Sequence, residues 1–155
     1  MKKRIDICSE ANNLGANRGV CRFGLIKELI QKHFEDRLND LGCRGLSPNH
    51  ASVLIRLHEG GGTIQMKLLS EGMGKSKSTV SELVSRLDQE GLTRRCECTM
   101  DGRVCYVALT ERGADIAARL ADASQEISRQ IFQGFTSSER ELLEDLLNRI
   151  IANLS

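Results

Sequence analysis

The sequence is poor in the residues that build sheets and in the long apolar runs that cross membranes. Its 155 residues include one proline, and phenylalanine, tyrosine and tryptophan together make up only 3%. Aromatic and β-branched side chains pack best on a pleated surface, so their scarcity predicts a mainly α-helical chain. No stretch approaches the roughly 20 consecutive apolar residues of a transmembrane helix, and we therefore expect no membrane contact.

The chain also lacks a strong net charge and a secretion signal. Its formal charge is +1 at neutral pH, so a polyanionic partner has to be bound by local patches of charge. The basic segment 1–4 is followed by polar residues such as Asp6 and Ser9 instead of an apolar segment. We therefore expect a cytoplasmic protein whose six cysteines are thiols.

One stretch, residues 75–91, carries the strongest functional signal. Its apolar residues Val80, Leu83, Val84 and Leu87 recur at helical spacing and form one narrow stripe. With that stripe buried, the outer face is polar and consists of Ser78, Ser81, Glu82, Ser85, Arg86 and Gln89. Short hydroxyl side chains allow close approach to phosphate oxygens and base edges. The pattern favours a helix that reads DNA, although an ordinary solvated helix has the same stripe.

This helix lies between a short helix and a hairpin. A helix predicted over 65–71 and the glycine-containing turn 72–74 precede it, which is the pattern of a helix-turn-helix motif. Two predicted strands, 92–98 and 104–109, follow it and flank the turn signal Asp101-Gly102. A hairpin directly after such a helix is typical of the wing of a winged helix.

The N-terminal part predicts a polar lead-in over 1–17 and then two helices. Apolar residues at helical spacing predict the first helix over 19–41. Ser47 and Pro48 are typical of a helix start, with the serine as cap and the proline in the first turn. This second helix should end at the glycine triplet 60–62.

Two helices are predicted at the C-terminal end. One runs from 110 to about 132, and a capping box formed by Thr136 and Glu139 opens the other. The last helix has a broad apolar stripe that comprises Leu142, Leu143, Leu146, Leu147, Ile150, Ile151 and Leu154. A face this wide indicates packing against a second subunit, and a two-fold dimer is the commonest arrangement. Packing against residues 19–41 of the same chain is the alternative.

In order and spacing these motifs resemble the MarR family of bacterial and archaeal transcription regulators. The motifs that carry the resemblance are Lys77-Ser-Thr-Val-Ser81, Leu83-Val84, Arg86-Leu87, Glu90-Gly-Leu92, Asp101-Gly-Arg103 and Val107-Ala-Leu-Thr-Glu-Arg-Gly113. The resemblance covers about residues 19–154 and implies a mainly α, winged helix-turn-helix homodimer whose terminal helices interlock. It also implies a repressor that leaves a pseudo-palindromic operator when it binds a small-molecule effector or is oxidised.

The predicted organisation follows from the same motifs. Residues 1–46 form a lead-in and dimerisation helix, 47–110 the winged-helix DNA-binding domain, and 111–155 the C-terminal dimerisation helices. The expected partners are double-stranded operator DNA, a second copy of the chain and a small-molecule effector. We expect neither an enzymatic activity nor a cofactor.

The resemblance also implies which residues contact DNA. Together with the basic residues nearby, the predicted set is Lys75, Lys77, Ser78, Thr79, Ser81, Arg86, Arg94, Arg95, Asp101 and Arg103. Arg103 matches a wing arginine that enters a narrow, electronegative minor groove, and Asp101 should orient its guanidinium. Glu82 departs from the family pattern, in which a basic residue is often found at this position. Its carboxylate either accepts a hydrogen bond from a cytosine amino group or weakens phosphate binding.

Three cysteines, Cys96, Cys98 and Cys105, fall in the predicted hairpin. If Leu92 pairs with Leu109, Cys96 lies opposite Cys105 at the distance of a disulfide, and the wing is a candidate redox switch. The alternative is that these are small half-buried thiols without a role. Zinc binding by the three would need a fourth ligand, and the histidines lie far away in sequence.

Cys21 is a second redox candidate, because a reactive cysteine occupies a similar place in the peroxide-sensing branch of the family. The tyrosines that support that thiolate are missing, since the single Tyr106 lies in the wing. A core or interface thiol is the alternative.

Two further classes of function stay open: a cysteine-dependent enzyme, and a protein-interaction adaptor that does not read DNA. The segment Gly72-Met-Gly-Lys-Ser76 is no P-loop, because position 69 is leucine and a helix precedes it.

Overall fold

The computed structural model describes residues 18–97 and 104–155, and the chain divides after Ala121 into two units. The described part of the first unit contains, before α5, the helices and strands α1 (Arg18–Asp40), α2 (Pro48–Glu59), β1 (Thr63–Gln65), α3 (Met66–Met73), α4 (Lys77–Gln89), β2 (Thr93–Glu97) and β3 (Cys105–Leu109). Helix α5 (Glu111–Ile131) continues from the first unit into the second, and α6 (Ser137–Leu154) belongs to the second.

These elements confirm the mainly helical winged-helix architecture, with helix-turn-helix α3–α4 followed by the hairpin β2–β3. The lead-in 1–17 and the hairpin tip 98–103, which includes Cys98, Asp101 and Arg103, lie outside the described residues. The division of the chain into 1–46, 47–110 and 111–155 stays a prediction. None of the helices in the described ranges is long and apolar enough to cross a membrane.

The polar residues expected at helix starts occupy those positions. Ser47 precedes Pro48 at the start of α2, as predicted. Ser76 caps α4, where its Oγ accepts a hydrogen bond from the backbone N–H of Thr79 at 3.2 Å. The capping box of α6 is confirmed, because Thr136 Oγ1 accepts from the Glu139 N–H and the Glu139 carboxylate accepts from the Thr136 N–H.

The three strands form one antiparallel sheet in the order β1-β3-β2. Thr93 pairs with Leu109 and Cys96 pairs with Tyr106, whereas Cys105 pairs with Glu97. The predicted register was therefore wrong by one residue, and Cys96 does not lie opposite Cys105. Successive side chains of a strand point to opposite faces, so the two thiols are on different faces of the sheet and a disulfide between them is disfavoured.

The shift arises because Leu92 belongs to the end of α4 and not to the strand. Gly91 adopts a left-handed conformation (φ 68°), and the N–H of Leu92 donates to the carbonyl of Leu87 at 2.9 Å. The N–H of Gly91 donates to the carbonyl of Asp88, which completes a Schellman cap. Pairing with β3 can therefore begin only at Thr93.

Helix α5 begins against this cap. Thr110 Oγ1 donates to the carbonyl of Gly91 at 2.7 Å, and the Arg112 guanidinium donates to the carbonyl of Glu90 at 2.9 Å. The N–H of Thr110 donates to the carbonyl of Leu92 at 3.1 Å. The carbonyls of the cap that follows α4 are thereby satisfied by groups at the start of α5, which fixes the direction in which α5 leaves the winged helix.

Gly113 allows this close approach. A Cβ atom at position 113 would lie 1.8 Å from the carbonyl oxygen of Leu92, a distance at which backbone has to move. We predict that Gly113→Ala lowers the free energy of unfolding by about 2 kcal/mol or more, because the displaced segment also carries the α4 cap. Urea denaturation followed by circular dichroism measures the change.

Gly24→Ala is the matched control. Gly24 lies in α1, and a Cβ there meets no atom within 4 Å. Helix propensity alone should leave this variant as stable as the parent or more stable by about 0.5–1 kcal/mol. Equal effects of the two substitutions would contradict a specific role for Gly113.

Candidate nucleic-acid interface

Helix α4 presents its polar side outward because its apolar stripe is fully used by the core. Val80, Val84 and Leu87 have 0% of their surface exposed, and Leu83 is half-buried against the same core. The opposite side forms a shallow groove lined by Ser78, Ser81, Glu82, Ser85, Arg86 and Gln89. These are the six residues predicted for the outer face, and we refer to them as the outer face of α4.

The N-terminal end of α4 offers hydroxyls, cations and backbone donors together. Ser76 Oγ lies 2.9 Å from Ser78 Oγ and 2.8 Å from Thr79 Oγ1. Lys77 is the first residue of the helix and is exposed, and Lys75 is half-exposed just before it. A helix N-terminus carries unsatisfied N–H groups and the positive end of the dipole, so this end of α4 suits an anion such as a phosphate.

Two arginines near the other end of α4, Arg86 on the helix and Arg95 on strand β2, are paired with carboxylates. Arg86 Nη2 lies 2.8 Å from Glu90 Oε1, and Arg86 Nη1 lies 3.5 Å from Gln89 Oε1. Arg95 Nε lies 3.3 Å from Asp88 Oδ2. Both ion pairs are partly exposed to solvent, so each stabilises the fold by no more than about 1 kcal/mol.

Arg95 connects strand β2 to the side of α4. Its Nη2 donates to Ser85 Oγ at 2.6 Å and to the Ser81 carbonyl at 2.9 Å. Asp88, which holds its Nε, also accepts from Thr93 Oγ1 at 2.5 Å. The guanidinium of Arg95, which was predicted to contact DNA, thus binds α4, the helix that was predicted to read DNA. The sequence did not predict that Arg95 binds α4, because no pattern of residue spacing tells which helix residues a strand residue contacts across the intervening turn.

Arg94 and Arg95 do not act on the same side of the sheet. Arg94 pairs with Ala108 and Arg95 with Val107, so their side chains point to opposite faces of β2. Arg95 faces α4, and Arg94 is exposed on the other face. Adjacent basic residues in the sequence therefore supply one cation near the outer face of α4, and a DNA contact by Arg94 stays a prediction.

The described cysteines are all free thiols. Cys21 is exposed on α1, whereas Cys96 and Cys105 are half-buried. Cys43 is buried, and burial raises its pKa, which keeps the thiol protonated and unreactive. Redox roles for Cys21, Cys96, Cys98 and Cys105 stay predictions, and the opposed pair expected in the wing is absent from the described register.

Comparison with known proteins consistently finds regulators of transcription. A model of the MarR family matches residues 44–104. The HTH-type transcriptional regulator SarZ of Staphylococcus epidermidis is 31% identical over 130 residues, which are 82% of each chain. The HTH-type transcriptional repressor IacR of Pseudomonas putida is 28% identical over 102 residues; these make up 66% of this chain but only 60% of the length of IacR.

Solved structures share the fold. A complex of S. aureus MepR with DNA superposes with a TM-score of 0.76 at 16% identity, covering 88% of this chain and 98% of MepR. The PcaV transcriptional regulator of Streptomyces coelicolor, in complex with its natural ligand, superposes with a TM-score of 0.70 at 22% identity. That alignment covers 94% of this chain and 99% of PcaV.

One titratable group next to the outer face has a displaced pKa. Burial lowers the pKa of His50 below its ordinary value of 6.5, and the positive charge of Arg86 lowers it further. The unprotonated Nδ1 of His50 accepts a hydrogen bond from the backbone N–H of Ser47 at 2.9 Å, which helps to cap α2. A protonated imidazole cannot accept this bond and would also repel the helix dipole.

We predict that this histidine destabilises the fold in mild acid. Because the folded pKa is the lower one, the unfolded chain takes up the proton first, and the free energy of unfolding falls as pH decreases through about 6.5. In His50→Gln the side-chain oxygen can still accept from Ser47 without titrating. Urea unfolding between about pH 5 and 8 should show a shallower decline for this variant. Parallel curves for the two proteins would contradict the assignment.

Proposed function

The chain belongs to the MarR family, and on that basis we propose that it is a homodimeric, sequence-specific DNA-binding repressor of transcription. The observation that carries the proposal is the geometry of α4. Its stripe of Val80, Val84 and Leu87 is wholly buried, and its opposite side is the polar groove formed by the outer face of α4. Lys77 is the first residue at the helix N-terminus. Such a helix fits a major groove, with its N-terminal residues close to phosphates and its outer face close to base edges.

In the proposed homodimer, a second copy of the chain supplies the second DNA-binding helix. No residue of α6 is buried, even though the helix is rich in apolar residues. Leu142, Ile151 and Leu154 expose 58%, 61% and 83% of their surface. An exposed apolar stripe along an 18-residue helix is unusual for a monomer and marks an interaction surface. In a two-fold dimer, the two α4 helices would lie about 34–36 Å apart and would read a pseudo-palindromic operator.

Release from the operator is part of the same proposal. The structure of PcaV with its natural ligand supports a small-molecule effector for this chain as well. The proposal contains no enzymatic step, in keeping with relatives that are named as regulators of transcription. It does not need the wing disulfide, which the register of β2 and β3 disfavours.

We predict that Lys77→Ala weakens binding to all DNA sequences by a similar factor, because Lys77 would contact a phosphate. Each phosphate contact contributes about 0.9 to the slope of log affinity against log salt, so losing two in a dimer should reduce that slope by about 2. Fluorescence anisotropy on an operator obtained by in vitro selection, at several salt concentrations, measures both quantities.

Lys32→Ala is the control for charge. It removes the same charge from an exposed position on α1 and should leave affinity and salt slope unchanged. A parent protein with no salt-dependent affinity for any selected duplex would overturn the proposal. Retained winged-helix stability without DNA binding would instead point to the adaptor alternative.

We further predict that Ile151→Glu dissociates the dimer. Ile151 is largely exposed in the single chain, so a carboxylate there should not prevent folding, but it would be costly inside an apolar interface. Light scattering should show a monomer, and operator affinity should fall by about 100-fold or more because the two half-sites are no longer bound by one linked molecule.

Asn148→Glu places the same charge on the polar side of α6. This variant should remain dimeric and retain operator binding. Unchanged mass and affinity in Ile151→Glu would show that α6 is not the dimer surface.

A further inference from the structure

Glu82 stands at the centre of the outer face of α4 and has no partner among the residues that the structure describes. Its side chain is exposed, and it forms no hydrogen bond or ion pair with any residue in the ranges 18–97 and 104–155. Within the outer face it lies one helical turn from Ser78, Ser85 and Arg86. A carboxylate in this position is acceptor-only, so it can be satisfied in an interface only by a donor on the partner.

The arginines that would normally neutralise Glu82 are held elsewhere. Arg86, four residues further along the helix, is bound to Glu90 at 2.8 Å. Arg95 contacts residues on either side of Glu82, but its Nε binds Asp88 and its Nη2 binds Ser81 and Ser85. Two other carboxylates therefore occupy both cations, and the charge of Glu82 is left facing outward.

We propose that Glu82 is a specificity-determining residue that accepts a hydrogen bond from the N4 amino group of one cytosine in each operator half-site. This inference rests on the proposed DNA-binding function and deepens it. In the major groove, guanine presents only acceptors at N7 and O6, and thymine presents O4 and a methyl group. A desolvated carboxylate is repelled by those edges and left unsatisfied, so they are selected against.

Adenine is the nearer competitor, because its N6 amino group is also a donor. Its N7 acceptor lies next to that group, however, and faces the second oxygen of the carboxylate. Cytosine has no acceptor beside N4 on its own edge. The same geometry predicts how an amide would behave, since glutamine donates to N7 while it accepts from N6 and so prefers adenine.

The contacts of neighbouring residues hold the part of α4 that carries Glu82 against strand β2. Arg95 binds Ser81 and Ser85, the residues just before and one turn after Glu82, and ties both to strand β2. Ser85 Oγ also lies 2.8 Å from the Ser81 carbonyl, so this side chain is held against the helix. The hydroxyls beside Glu82 are short and hydrogen-bonded within the protein, and Arg86 is bound to Glu90, so the carboxylate of Glu82 is left to meet a partner.

The test is in vitro selection from a randomised duplex library with the full-length parent, Glu82→Gln, Glu82→Ala and the control Glu59→Gln. Glu59 is an exposed carboxylate at the end of α2, outside the outer face of α4. The parent and the control should select the same consensus with an invariant cytosine in each half-site. Replacing that C·G pair by T·A should lower the parent's affinity about tenfold or more.

The two substitutions should change the consensus in different ways. Glu82→Gln should move the preference at that position from cytosine to adenine, and Glu82→Ala should remove it while the rest of the consensus stays the same. A cytosine preference that persists in both variants, or a uniform gain in affinity for all sequences with an unchanged consensus, would overturn the inference and leave the proposed function standing. Failure of the parent to enrich any sequence would overturn the proposed function itself.

Discussion

The burial of one narrow apolar stripe on α4 is the constraint on which the remaining arrangement depends. Val80, Val84 and Leu87 are completely enclosed by the core of the first unit, so α4 has only one rotation about its axis. Rotating it by one residue position would expose these side chains and bury the polar ones, at a cost of several kcal/mol. A hydrophobic preference thus decides which hydroxyls and charges are available to a partner.

Three sets of polar contacts then fix α4 along its length. Ser76 caps its first turn, Arg95 binds its flank, and Arg112 in the first turn of α5 donates to the carbonyl of its C-cap residue Glu90. Each contact is individually modest, since most are partly exposed. Together they attach α4 to the strand on one side and to α5 at its end. A change in the direction of α5 would therefore be transmitted to the orientation of the outer face.

The sequence predicted the helices and the outer face of α4 because both follow from periodicity. A stripe at helical spacing needs no knowledge of the partner, and the caps at Ser47 and Thr136 are local in sequence. The sheet register was missed because it depends on where α4 stops. The sequence predicted that the strand begins at Leu92, directly after Gly91. In the structure the N–H of Leu92 is part of the C-terminal cap of α4, so the strand begins one residue later. The binding of Arg95 to α4 was also missed, because it joins elements whose packing no local rule describes.

The near-neutral charge of the chain is consistent with DNA binding because α4 separates its charges along its axis. Lys75 and Lys77 lie at the N-terminal end, where the helix dipole adds to their attraction for phosphate. Further along, Asp88 and Glu90 hold Arg95 and Arg86, which limits the indiscriminate attraction that free arginines would give. Affinity can then come mainly from one end of the helix, while the centre discriminates. Paired arginines gain less from non-cognate DNA than free ones would, so the carboxylate of Glu82 can make the choice of base matter.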